Sequence, residues 1–315
     1  MPYAEPYFLD GTSLIDSTSI YTNSDLSIFA ADGYYSDGLN IRRLVSGVLE
    51  PVQPCPACGS PCGQGISFGE GTQGLYIDQI DMGSLPTNVG AIVITFDIFS
   101  VPDGILVEYD GVTYNEVVSQ GFGYFAAPAG MPTFIGNSAN DCGLAGNTTV
   151  VSLPVYNRVA GAFVPSGTTE SVTITPPQIS LYATDPGYTR MVIPKISAAP
   201  SVLTIKFYGA CIGTEFQYDV LCPAGLDKFK ASLRFATVEP EDPIFCDAPQ
   251  TQTYFVARSG NATAPYLGLY DMIFEDSFGQ VKLTDGYYRS NFVAAPNDGF
   301  EIQNGVIVSL LDACP

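Results

Sequence analysis

Ala91-Ile92-Val93-Ile94-Thr95-Phe96-Asp97-Ile98-Phe99, Val101-Pro102-Asp103-Gly104, Ile105–Tyr109, Asp110-Gly111 and Val112–Val117 decide the fold. The longer runs are short, apolar and rich in β-branched and aromatic side chains, as strands are. Val101–Gly104 has turn chemistry, and Asp110-Gly111 between two strand-like runs is a two-residue hairpin signal. Working outward, similar runs follow at Thr148–Asn157, Ala160–Val164, Ser171–Ile174, Ile179–Ala183, Arg190–Ile193, Val202–Tyr208 and Glu215–Leu221. Turn signals every ~8–12 residues predict an all-β fold, a jelly-roll-like two-sheet sandwich.

The flanks predict small β modules at both ends. Before the sandwich lie Ser13–Tyr21, Leu26–Ala30 and Asn40–Leu49, separated by Asp32-Gly33 and Asp37-Gly38. A Cys/Gly/Pro connector spans 55–75. Residues 224–245 form a second connector, in which Leu226–Phe235 fits a short helix or a strand. Beyond it the strand-like runs are Gln252–Ala257, Gly268–Glu275, Gln280–Leu283, Gly286–Arg289, Gly299–Ile302 and Val306–Leu311. The expected organisation is an N-terminal module with its connector over 1–63, the sandwich over 64–223 and a C-terminal module over 224–315.

The two ends share a repeat. Tyr21-Thr22-Asn23, Asp32-Gly33-Tyr34-Tyr35, Ser46-Gly47-Val48-Leu49 and Cys55-Pro56 recur as Phe274-Glu275-Asp276, Asp285-Gly286-Tyr287-Tyr288, Asn304-Gly305-Val306-Ile307 and Cys314-Pro315. The second copy has a few extra residues after its Tyr pair. Shared order predicts shared strand order, with Tyr34 matching Tyr287 and Tyr35 matching Tyr288. Two or three strands bury too little to stand alone, so each copy needs a neighbour to pack on.

Composition limits the chemistry. Charged residues make up 14% of the 315, well below the roughly 25% of ordinary domains. The net charge of −20, with 12 Lys plus Arg, repels phosphate backbones, so no nucleic-acid partner is expected. No run approaches about 18 apolar residues, so membrane insertion is not expected. The start, Met1-Pro2-Tyr3-Ala4-Glu5-Pro6, lacks the basic and apolar regions of a secretory signal. The absence of histidine removes Ser-His-Asp and Cys-His catalysis and imidazole metal sites. No other catalytic signature stands out, and neither an enzyme nor a cofactor is expected.

The eight cysteines are Cys55, Cys58, Cys62, Cys142, Cys211, Cys222, Cys246 and Cys314. An even count in a chain of outward-facing character favours disulfides. Cys211 and Cys222 are expected to pair, because the segment between them has the form of a loop and a returning strand. Cys55, Cys58 and Cys62 also have partial zinc-ligand spacing, but the second CxxC arm is missing. Tyr34, Tyr35, Tyr287 and Tyr288 are candidates for a subunit interface or a glycan-facing surface; core packing is the competing reading. The Asp-Gly pairs lack EF-hand spacing and are assigned to turns rather than calcium.

The unit of DGYY, strand, Gly-Val turn and closing cysteine resembles modules in structural proteins of tailed bacteriophages, as in phages of Bacteroidota and marine bacteria. Val101–Gly111 resembles the strand-turn-strand of jelly-roll adhesive domains in such proteins. Arg190–Lys195, Tyr208–Cys211 and Leu221-Cys222-Pro223 fit later strands of the same domain. The resemblance implies a virion tail, baseplate, neck or fibre protein. It would be made in the host cytoplasm without a signal peptide and exposed on the virion. Its partners would be other copies of itself and other virion proteins, with host-surface glycan as the alternative for a receptor-recognition adhesin.

Overall fold

The structure, a computed structural model, describes residues 7–14, 16–36, 40–51, 53–54, 60–63, 65–68, 71–83, 88–97, 99, 101–137, 142–144, 147–159, 161–175, 179–182, 189–237, 243–259, 262, 264–293 and 297–312. Asp37, Gly38, Cys55, Cys58 and Cys314 lie outside these residues. The described chain is all-β apart from one short helix, α1 (Pro243–Cys246).

At the N-terminus, β1 (Phe8–Leu9) pairs with β2 (Ile20–Tyr21). Beside them β3 (Gly33–Ser36), β4 (Asn40–Val45) and β5 (Val48–Leu49) form a second sheet, and β6 (Gln53–Pro54) also pairs with β4. The sandwich comprises β7 (Ser60–Pro61), β8 (Gly65–Phe68), β9 (Gly74–Asp81), β10 (Gly90–Asp97), β11 (Asp103–Tyr109), β12 (Val112–Tyr114), β13 (Glu116–Ser119) and β14 (Gly123–Ala126). It continues with β15 (Thr133–Asn137), β16 (Thr149–Val159), β17 (Ala162–Ile174), β18 (Ile179–Tyr182), β19 (Thr189–Lys195), β20 (Val202–Gly209) and β21 (Phe216–Val220).

One sheet runs β14-β13-β19-β10-β21-β8 and the other β17-β16-β9-β20-β11-β15-β18, with β12 and β7 as side pairings. The central orders β8-β21-β10-β19 and β9-β20-β11-β15 interleave the chain between the sheets as two Greek keys, a jelly roll. Alternation explains the core: Ile92, Ile94 and Phe96 of β10 face Leu203, Ile205 and Phe207 of β20 in one buried cluster. Each such side chain contributes roughly 1.5–3 kcal/mol on burial. The second sheet has another apolar cluster, containing Leu75, Leu106, Phe134, Leu153 and Tyr208.

Three sequence expectations need correction. Asp103 and Gly104 are not in a turn but open β11, where Gly104 is needed because a Cβ would meet the Phe134 ring at 2.8 Å. Cys211 and Cys222 do not pair. β20 and β21 lie in different sheets, and β21 carries the chain away from Cys211; the bridges are Cys142–Cys211 and Cys62–Cys222. Ser13–Tyr21 and Leu26–Ala30 are mostly irregular. Polar side chains in and beside them satisfy the backbone locally, as when Asp10 accepts from Thr18 N and Ser19 N.

Burial holds the Asp103 carboxyl well above the usual carboxylate range. The Thr214 hydroxyl lies 2.8 Å from the Cys211 carbonyl and 3.2 Å from Asp103 Oδ1. Thr214 Oγ1 donates toward both oxygens, and its bond to Asp103 opposes, without cancelling, the upward push of burial. The folded pKa is raised, so the contribution to stability is full in acid and is lost as pH rises toward the folded value. Asp103→Asn keeps an acceptor for Thr214 without the ionisation. It is expected to raise stability by on the order of 1 kcal/mol at pH 8. Urea midpoints at pH 4 and pH 8 check this; an equal loss at both would refute it.

After the sandwich, β22 (Asp227–Ala231), β23 (Gln252–Ala257), β24 (Met272–Phe274), β25 (Gly286–Arg289), β26 (Gly299–Gln303) and β27 (Val306–Leu311) form one sheet in the order β22-β23-β24-β27-β26-β25. Leu226–Phe235 therefore contains a strand, β22, whose Phe229 enters the core with Ile273, Tyr288 and Phe300.

Candidate assembly surfaces and the repeated unit

The repeat is a repeat of hydrogen bonds. Thr22 N donates to Ile28 O at 2.9 Å, and Glu275 N to Val281 O at 2.8 Å. Ala30 N donates to Ile20 O at 2.8 Å, and Leu283 N to Ile273 O at 2.9 Å. Tyr35 OH donates to Ala31 O, and Tyr288 OH to Thr284 O. From Thr22 and Glu275 to Tyr35 and Tyr288 the offset is 253 residues; from Leu44 and Ile302 onward it is 258. The same partners thus recur on both sides of a short insertion.

Side chains close the loops alike. Asn23 Oδ1 accepts from Ser27 N and Ile28 N, and the Asp276 carboxylate accepts from Gln280 N and Val281 N. Asp32 and Asp285 do not form two-residue hairpin turns. Their carboxylates each accept at 2.7 Å from Ser46 N and Asn304 N, the first residues of the true turns Ser46-Gly47 and Asn304-Gly305. All four turn residues have φ between 50° and 80°, the conformation these hairpins require.

The tyrosine pairs occupy equivalent positions. Tyr34 and Tyr35 pair with Arg43 and Arg42, and Tyr287 and Tyr288 pair with Glu301 and Phe300. Tyr288 is buried and stacked on Phe300, and Tyr35 is half-buried with its ring edge-on to Tyr7. Tyr34 is exposed, with the Arg43 guanidinium 5.9 Å from its ring centroid, and Tyr287 is half-buried. The second tyrosine of each pair is thus a packing residue, and the first faces out.

The two copies differ in what covers them. The C-terminal copy sits on the outer face of the first sheet, where Met272, Phe274 and Val306 pack with Val118, Tyr124 and Val192. Lys282 pairs there with Glu116 and lies over the Tyr124 ring at 4.8 Å. Arg190, nearly inaccessible, faces the Ala257 carbonyl beneath this copy. The N-terminal copy has its own small core of Leu14, Ile20, Ala30, Leu44 and Leu49. Its Val48, the counterpart of the fully buried Val306, is 62% exposed. Phe29, in the place of Lys282, is 53% exposed and stacks on Tyr21.

Arg42 stands where Phe300 stands in the other copy. Its guanidinium donates to the carbonyls of Leu14, Ser17, Leu49 and Glu50. It ties the N-terminal loop to the sheet by polar contacts where the C-terminal copy uses aromatic packing.

Among the cysteines, Cys62 is bridged to Cys222 and Cys142 to Cys211, and Cys246 is also disulfide-bonded. A bridged Cys62 has no thiolate for zinc, and no cluster of three or more metal-ligating side chains occurs among the described residues. Within the sandwich, Asp78 accepts from Tyr218 OH at 2.6 Å and pairs with Arg158 at 3.1 Å. Burial, then the neighbouring Asp78 charge, pushes the Tyr218 phenol up. This group bridges the two sheets and was not anticipated. Comparison with known protein families, curated proteins and solved structures finds no match to this chain.

Proposed function

We propose that the chain is a structural component of a phage virion, in a tail, baseplate, neck or fibre, acting by subunit assembly and surface attachment. The virion assignment rests on the resemblance of the repeated module and the jelly-roll segment to tailed-phage structural proteins. The observation that carries the assembly reading is the unequal covering of two equivalent faces: one is seated on the sandwich, and the other holds Val48 and Phe29 in solvent. Exposed contiguous apolar side chains favour association. Light scattering is expected to give a mass above that of one 33.5 kDa chain, and labelling should place the protein in intact particles. A stable monomer that cleaves polysaccharide, and stops when a single Asp or Glu is replaced, would overturn the reading.

Glycan attachment is a second reading, favoured by Tyr34, 69% exposed beside Arg43. Aromatic rings accept sugar faces through apolar contact. A glycan array probed with the wild type and with Tyr34→Ala distinguishes the two: retained binding in the variant removes this reading.

A further inference from the structure

We infer that the N-terminal repeat docks onto the first jelly-roll sheet of a second copy of this chain, beside that copy's C-terminal repeat. This rests on the assembly reading above and adds its surfaces and geometry. The docking face carries Tyr21, Leu26, Phe29 and Val48. Its counterpart in the C-terminal repeat is Phe274, Gly279, Lys282 and Val306, the face already seated on that sheet. Within one chain, the same scaffold shows the same face at work once and idle once.

The receiving surface is also present. Six strands at about 4.8 Å spacing make a sheet about 24 Å wide. The C-terminal repeat covers the side of β13 and β19. Toward β10 and β21 a largely apolar trough of about 340 Å³ remains, lined by Val93, Thr95, Leu221 and Ala224 and bordered by Val256 of β23 and the Asp227–Arg258 pair. Leu221 projects from it and is 52% exposed. The N-terminal repeat of the same chain does not fill the trough, since Val48 and Leu221 are both left in solvent. Phe29 replaces the lysine that meets Glu116 in the other copy, so the N-terminal face suits a receiving surface without a free carboxylate. Asp227, the carboxylate that lines this trough, is already paired with Arg258 at 3.5 Å.

Each copy therefore offers one face and one trough at different places. Exchanged reciprocally between two copies, such a contact makes a two-fold dimer; not exchanged, it closes into a ring or extends as a filament.

Complementation tests this. Val48→Asp spoils the face and Leu221→Asp the trough. Both positions are exposed, and circular dichroism should show both variants folded. By light scattering the wild type is expected to exceed monomer mass, and each variant alone to be monomeric. An equimolar mixture is expected to give 1:1 dimers, because one intact face then meets one intact trough. Variants that assemble like the wild type, or a mixture that stays monomeric, would overturn the inference and leave the assembly reading standing. A monomeric wild type would overturn both.

Discussion

Replacing Cys62 and Cys222 together by serine is expected to lower the stability of the sandwich by about 5 kcal/mol, the loop-closure value for this sequence separation. The bridge joins residues 160 apart in sequence, with Cα atoms 5.0 Å apart. A long closed loop restricts the unfolded chain most, so its loss is felt mainly there. The Cys142–Cys211 bridge, with a separation of 69, should cost slightly less, about 4 kcal/mol. Urea unfolding of the double-serine variants, each against the oxidised wild type, measures both. Midpoints that match the wild type would exclude this stabilising role.

Asp78→Ala is expected to cost about 3–5 kcal/mol, the usual penalty for removing one partner of a buried ion pair. Asp78 is 2% exposed, and its carboxylate meets Arg158 and the Tyr218 hydroxyl between the sheets. Removing it leaves a guanidinium in a low-dielectric core without that counter-charge. For a sandwich of this size the thermal midpoint should fall by roughly 10 °C. The combined change Asp78→Leu, Arg158→Met and Tyr218→Phe should recover much of the loss, because no charge remains to be desolvated. If the triple variant is no more stable than Asp78→Ala, the loss comes from packing and not from charge.

The sandwich was legible because its strands alternate. Ile92, Ile94 and Phe96 advertise one buried face, and Asp110-Gly111 forms the expected hairpin between β11 and β12, with φ values of 51° and 73°. The repeat was legible because Asp32 and Asp285, like the Ser46-Gly47 and Asn304-Gly305 turns, hold backbone positions that few other residues satisfy. What Asp32 and Asp285 do was misread: in each copy the Asp caps a distant turn amide rather than turning the chain itself. The disulfide partners were not legible. Strand neighbours in sequence lie in different sheets of a jelly roll, so a cysteine's neighbour along the chain is a poor guide to its neighbour in space. The buried triad left one signal: Asp78 falls between Tyr76 and Ile80 on the inward face of an alternating strand. The unequal covering of the two repeats left none, because Val48 and Val306 have similar local sequence and differ only in tertiary surroundings.

The Cys62–Cys222 bridge also sets the path of mechanical load. It ties the chain just before the first central strand of the jelly roll to the chain just after the last. Tension applied between the two terminal repeats passes from Cys62 to Cys222 through a single covalent link. The sequence between these two cysteines, 160 apart along the chain, hangs beside that path as an untensioned loop. Under oxidising conditions the jelly roll is therefore shielded from a pull on the ends, and extension is confined to the terminal repeats and their connectors. Reduction would put the whole sandwich in series with the pull and lengthen the chain available to it by roughly 3.3 Å for every residue released.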